Sequence, residues 1–163
     1  MRVLRLSLVL ALLPAFGAAD EPPTVNHQPV LCTLPEQPIS LCAEISDDGA
    51  VARARLYFRK AGEDYYAFVD MAFTGVAYCA TVPGPRAKTK AVEYYVQAVD
   101  EAYQPTRSST FQIQVQASCE FPPLEQDPAK AAAIKVFATH QKQGKKLDGA
   151  FVPAGVTFVP AGS

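Results

Sequence analysis

Between residues 29 and 116 apolar and polar side chains alternate in one short run after another, and that two-residue period restricts the chain to half-buried strands. In Pro38–Ser46, Ile39, Leu41, Ala43 and Ile45 alternate with Ser40, Cys42 and Glu44. In Ala54–Arg59, Ala54, Leu56 and Phe58 alternate with Arg55, Tyr57 and Arg59. Tyr65–Met71 reads as a further strand. Val76, Tyr78, Ala80 and Val82 then interleave with Ala77, Cys79 and Thr81, and Val92, Tyr94, Val96 and Ala98 with Glu93, Tyr95, Gln97 and Val99. The last run is Phe111–Gln116, where Phe111, Ile113 and Val115 alternate with Gln112, Gln114 and Gln116. Asp47-Asp48-Gly49, Ala61-Gly62-Glu63-Asp64 and Pro83-Gly84-Pro85 break the runs with residues that favour turns or cannot continue a ladder. With a run at Pro29–Thr33 this makes seven short strands, and the prediction is an antiparallel two-sheet sandwich.

The two ends of the chain differ from this middle. Residues 1–19, MRVLRLSLVLALLPAFGAA, have the layout of a secretory signal. Arg2 and Arg5 precede an apolar stretch, Leu6–Phe16, that is too short to span a bilayer, and Gly17-Ala18-Ala19 supplies small residues for cleavage. The mature chain is expected to begin at Asp20, without a membrane span and in the periplasm or outside the cell. No cysteine stands at the junction, which argues against a lipid anchor. Cleavage takes two arginines and no acid from 15 basic and 16 acidic residues, leaving 13 against 16. That balance is no footprint for nucleic acid, and no polybasic run invites an anionic membrane. Residues 20–28 read as a leader, 29–118 as the sandwich and 119–163 as a tail. Four cysteines in an exported chain point to disulfides. No CxxC pair is present and only two histidines exist, so neither a redox motif nor a zinc site is implied, and no cofactor is expected.

The run ISLCAEISDDGAVARARLYFRKAGEDYYAFVDM, followed by GVAYCATVPG and AVEYYVQAVDEA, resembles the immunoglobulin-like, fibronectin-type-III-like modules of bacterial envelope and secreted proteins. The likeness covers about residues 23–117 and rests on the Asp-rich turn, the LYFR strand, the strand ended by a Pro turn, and EYYVQAVD. It implies a sandwich fold and little about activity, because this fold hosts many functions. Tyr94 resembles the inward tyrosine of the sixth strand. The fold implied by the resemblance also orders the cysteines. It makes the second and fifth strands antiparallel neighbours with Cys42 and Cys79 on one outer face, and brings Cys32 near the pole where the seventh strand ends before Cys119. The pairing Cys42–Cys79 with Cys32–Cys119 follows. The rival, Cys32–Cys42 with Cys79–Cys119, stays open, since spacing alone does not settle connectivity.

The chain carries no GxSxG elbow, HExxH, phosphate-cradling loop or dinucleotide fingerprint. His27 in the leader and His140 in the tail have no evident nucleophile or metal partner. The expectation is a non-enzyme. The outer face of the third, fourth, sixth and seventh strands is the candidate binding surface: Arg55, Tyr57, Arg59, Tyr95, Gln97, Gln112, Gln114 and Gln116. Tyrosines beside Arg and Gln suit a protein partner, or sugar rings stacked on the phenols. Polar-out alternation with cross-strand Tyr–Arg support explains the same pattern without a ligand. Asp47 and Asp48, with Asp100 and Glu101, fall in two turns at one pole and form a weak calcium candidate of unrecognised spacing.

In the tail, Phe121-Pro122-Pro123 ends the sandwich pattern, and Asp127-Pro128 has the form of a helix start. Ala129, Ala132, Ala133, Val136, Phe137 and His140 then follow a helical stripe, with Gly144 as its stop and Lys142, Lys145 and Lys146 at its negative end. A short helix is predicted there. The pentapeptide FVPAG then occurs twice, at Phe151–Gly155 and Phe158–Gly162. Two units are too few for a solenoid. Docking of the repeat onto the sandwich is the first expectation, and a partner-binding tail the second. The whole reads as a non-catalytic exported module of the cell envelope that binds a protein, with carbohydrate binding through the tyrosine face as the alternative.

Overall fold

Alternation becomes layering in the computed structural model, which describes residues 20–120 and 133–162. One sheet joins β1 (Thr24–Asn26), β3 (Ile39–Ser46), β7 (Tyr78–Val82) and β6 (Ala72–Phe73) in the order β1-β3-β7-β6. The facing sheet has eight strands: β2 (Cys32–Thr33), β4 (Val51–Lys60), β5 (Ala67–Asp70), β8 (Ala91–Asp100), β9 (Pro105–Arg107), β10 (Phe111–Val115), β11 (Ile134–Ala138) and β12 (Val156–Val159). Its order is β12-β11-β5-β4-β8-β10-β2, with β9 pairing β8 beyond the end of β10. The order β1-β3-β7-β6 opposite β4-β8-β10 is that of an immunoglobulin-like sandwich, with β5 added beside β4. Inward residues of both sheets, among them Ile39, Leu41, Leu56, Phe58, Val92, Tyr94, Val96 and Ile113, are almost fully buried and make one core. Each such large side chain stabilises the fold by about 1.5–3 kcal/mol.

The seven-strand, all-antiparallel expectation is corrected in three ways. Twelve strands form among the described residues, and two pairs, β10–β2 and β11–β12, run parallel. Thr24–Asn26, read as leader, pairs with β3, because Val25 adds an apolar side chain to the core margin. The run at Pro29–Thr33 contributes only Cys32–Thr33 as strand, since Pro29 has no N–H to give a ladder. The predicted C-terminal helix is absent from the described residues. Its presumed start, Asp127-Pro128, and Ala129 and Ala132 lie outside them, as do the signal segment 1–19 and Phe121-Pro122-Pro123. Residues Ile134–Ala138 form β11, and the only helical turn in the described tail is a 3-10 turn at Gln141–Gln143.

The tail completes the larger sheet. β11 pairs antiparallel with β5, and β12 lies parallel beyond it. The two FVPAG copies do different work. Phe151 is buried, bridges to Pro85 and meets Phe58 edge-on at 5.2 Å, so it fills the core margin. Phe158 sits half-buried in β12. Gly84 is the joint between tail and sandwich: its carbonyl accepts the N–H of Val152 at 2.8 Å, and a Cβ there would lie 2.5 Å from the Glu36 backbone. Cys42 and Cys79 stand directly opposite on β3 and β7, with Cα atoms 4.1 Å apart, and are bonded. Cys32 is bonded to Cys119 at a Cα separation of 5.8 Å, β2 running parallel to β10 just before Cys119.

Candidate functional site

Four neighbouring strands carry an aromatic ring at directly opposed positions on the outer face of the larger sheet. Phe137 of β11 is paired with Phe68 of β5, Phe68 with Tyr57 of β4, and Tyr57 with Tyr95 of β8. Centroids are 4.9, 5.4 and 4.7 Å apart along this row, and the outer two pairs are nearly parallel, at 10° and 6°. Such opposed aromatic pairs each stabilise a sheet by about 0.2–1 kcal/mol. Cations close over the row. Arg107 of β9 lies 3.5 Å from the Tyr95 centroid, Arg55 4.1 Å from Phe68, and Lys135 5.0 Å from Phe137. Tyr66 stands edge-on to Tyr95 at 5.0 Å, with Arg59 4.2 Å from its ring.

Ion pairs hold two of these guanidinium groups and a hydroxyl holds the third. Arg55 reaches Asp70 at 3.0 Å, Arg59 reaches Glu93 at 2.7 Å, and Arg107 donates to the Thr110 hydroxyl at 2.9 Å. Burial of the ring pushes the Tyr95 hydroxyl above the usual phenol range, with the nearby Arg107 charge pulling the other way. The face therefore presents ring edges, a phenol and guanidinium planes held rigidly. Tyr95 has Tyr57 on one side, from β4, and Arg107 on the other, from β9. Neither side of its ring is open for a sugar to stack on.

Of the predicted face, Arg55, Tyr57, Arg59, Tyr95 and Gln97 come together on β4 and β8. Gln97 pairs in register with both Arg55 and Arg107. Gln112, Gln114 and Gln116 are exposed further along, where Gln114 donates to Gln112 at 3.0 Å, and they take no part in the aromatic row. Sequence reasoning misses Phe68, Phe137, Tyr66 and Arg107. Phe68 was legible: Ala67 and Val69 face inward in β5, so Phe68 must face out.

Both histidines have partners, which the sequence did not reveal. His27 Nδ1 is 2.7 Å from the Cys42 carbonyl and Nε2 2.7 Å from the Tyr94 hydroxyl. The Tyr94 ring points inward and is fully buried. His140 stacks on Tyr65 at 4.3 Å, and its Nδ1 caps the 3-10 turn by accepting the Lys142 N–H. Three of the four acids of the calcium candidate accept separate backbone N–H groups. Asp47 accepts from Gly49, Asp48 from Glu21 and the buried Asp100 from Gln104. Among the described residues no three acidic, histidine or cysteine side chains stand close enough to share a metal ion.

No protein-family model matches the chain, and no curated protein does. Among solved structures it is similar to the fibronectin(III)-like modules of Clostridium thermocellum CbhA, at 16% identity and a TM-score of 0.44, over 59% of this chain and 99% of that one.

Proposed function

We propose that this chain is a non-catalytic, exported interaction module, and that the aromatic row across β11, β5, β4, β8 and β9 is the surface that takes a protein partner. The observation that carries the reading is the register of Phe137, Phe68, Tyr57 and Tyr95 with Arg55 and Arg107 packed over them. Tyrosine and arginine are the residues that concentrate binding energy at protein interfaces, and here their rotamers are already fixed, so little ordering entropy opposes association. Export is supported by the two disulfides, which persist in oxidising compartments, and by the signal-like segment 1–19. A protein partner is favoured over a glycan because the Tyr95 ring is flanked on both sides.

The test is proximity cross-linking in the envelope of the producing cell, with wild type set beside Arg107→Glu and Tyr57→Ala. Both variants are expected to stay folded and to lose the same cross-linked protein. If the variants lose retention on polysaccharide columns and keep every protein cross-link, the surface is a sugar site. If neither readout changes, the row serves only the sheet.

A further inference from the structure

Acidic side chains gather at one pole of the molecule. Asp20, Glu21, Asp47, Asp48, Asp100 and Glu101 cluster at one end, linked by Glu21–Asp48 and Gln104–Asp20 hydrogen bonds. Lys60, Lys88, Lys142 and Lys146 line two adjoining hollows at the other, where the tail crosses the ends of β4 and β5. One of these, a cleft of about 180 Å³, has apolar lining as well: Phe58, Ala67, Leu147, Phe151 and Phe158, with Tyr65 on its wall. Its rim holds Arg59, Lys60, Lys142 and Lys146 against only Glu63 and Asp148.

The pairing within the rim leaves charge over. Lys60 is tied to Glu63 at 2.7 Å, and Arg59 to Glu93, which does not line the cleft. Asp148 accepts the Ala150 N–H. Lys142 and Lys146 have no ion pair among the described residues. We propose that this cleft binds a small carboxylate bearing a ring-sized apolar group, the ring against Tyr65, Leu147 and Phe158 and the acid held by Lys142 and Lys146. The size follows from the volume, since an apolar cavity of about 150 Å³ accommodates benzene. The sign follows from the two unmatched ammonium groups at the mouth. This site meets the aromatic face only at Arg59, and its test does not use that residue.

The probe is 3-phenylpropionate, titrated into the purified chain and followed by two-dimensional NMR, with 3-phenylpropanol as its uncharged counterpart. The acid is expected to saturate, to shift resonances of Tyr65, Leu147 and Phe158, and to bind about tenfold or more tightly than the alcohol. Its affinity is expected to fall with added salt. Lys142→Glu combined with Lys146→Glu changes only exposed side chains and is expected to abolish saturation without moving the melting temperature. N-acetylphenylalanine separates two sources of the same chemistry: tighter binding than 3-phenylpropionate assigns a protein carboxy-terminus, equal or weaker binding a free acid. Equal affinity for acid and alcohol, shifts mapping elsewhere, or indifference to the charge reversals overturns the proposal.

Discussion

His27 reaches from just beyond β1 to the interior, where its surroundings admit one protonation pattern. The Cys42 carbonyl can only accept, so Nδ1 carries the proton and Nε2 is left to accept from the Tyr94 hydroxyl. The Tyr94 oxygen in turn accepts the Val30 N–H at 3.2 Å. Burial pushes the His27 pKa below its ordinary value, the bond to Cys42 opposing the shift. Burial likewise pushes Tyr94 up to about 12. The signs follow. A histidine with a depressed folded pKa leaves stability whole above about pH 6.5 and erodes it as pH falls through the folded value. A tyrosine with a raised pKa leaves stability whole below about pH 10 and erodes it as pH rises through about 12. Urea midpoints measured from pH 5 to pH 8 should rise with pH in wild type and rise less in His27→Ala. Identical slopes would show that His27 is not the group responsible. Tyr94→Phe should cost about 1–3 kcal/mol at neutral pH, because Nε2 of His27 and the Val30 amide both lose their partner.

At the scale of elements, the two FVPAG copies test how far a repeated sequence fixes a repeated role. Both end in a glycine with positive φ, 71° at Gly155 and 80° at Gly162, so the turn chemistry is the same. What precedes them differs, and packing follows it. Phe151→Ala should cost about 3–5 kcal/mol in chemical denaturation, as for any buried phenylalanine truncated against Phe58, and Phe158→Ala clearly less. Equal losses would mean that the copies are equivalent after all. The strand positions were legible wherever alternation was long: Ala54–Arg59 and Val92–Val99 fall within β4 and β8, and Pro38–Ser46 overshoots β3 by Pro38 alone. The tail was not, because Val136, Phe137 and His140 fit a helical stripe while Ile134, Val136 and Ala138 fit a strand just as well. The open edge of β5 decides between them by offering backbone partners that a helix would leave unused. The candidate site inherits that ambiguity. Tyr57 and Tyr95 could be placed on one face from their own runs, but Phe137 joins them only once residues 134–138 are a strand.

For the molecule as a whole, the question is which closure holds two sheets and a distant tail in one fold. Cys42–Cys79 joins strands that already exchange ladder bonds and spans 37 residues. Cys32–Cys119 spans 87, enclosing β3 to β10 between the short parallel strand β2 and the exit toward the tail. Both act mainly by restricting the unfolded chain, by about 2–4 kcal/mol each, and the restriction grows with the logarithm of the loop. The ratio of 87 to 37 makes the longer closure worth about 0.8 kcal/mol more. The Cys32→Ser/Cys119→Ser pair should therefore be less stable in urea than Cys42→Ser/Cys79→Ser, both with steeper slopes than wild type because their unfolded chains expand. β2 contributes only two residues of strand, held to β10 by the Gln114 N–H to Leu31 and Gln116 N–H to Thr33 bonds beside this disulfide, so amide exchange in β2 and the end of β10 should rise in the first variant alone. In the second variant β3 and β7 keep five paired residues and should stay protected. The opposite order of stabilities would mean that the β3–β7 bond repairs a native weakness that the ladder does not, and loop entropy would then be the minor term in this fold.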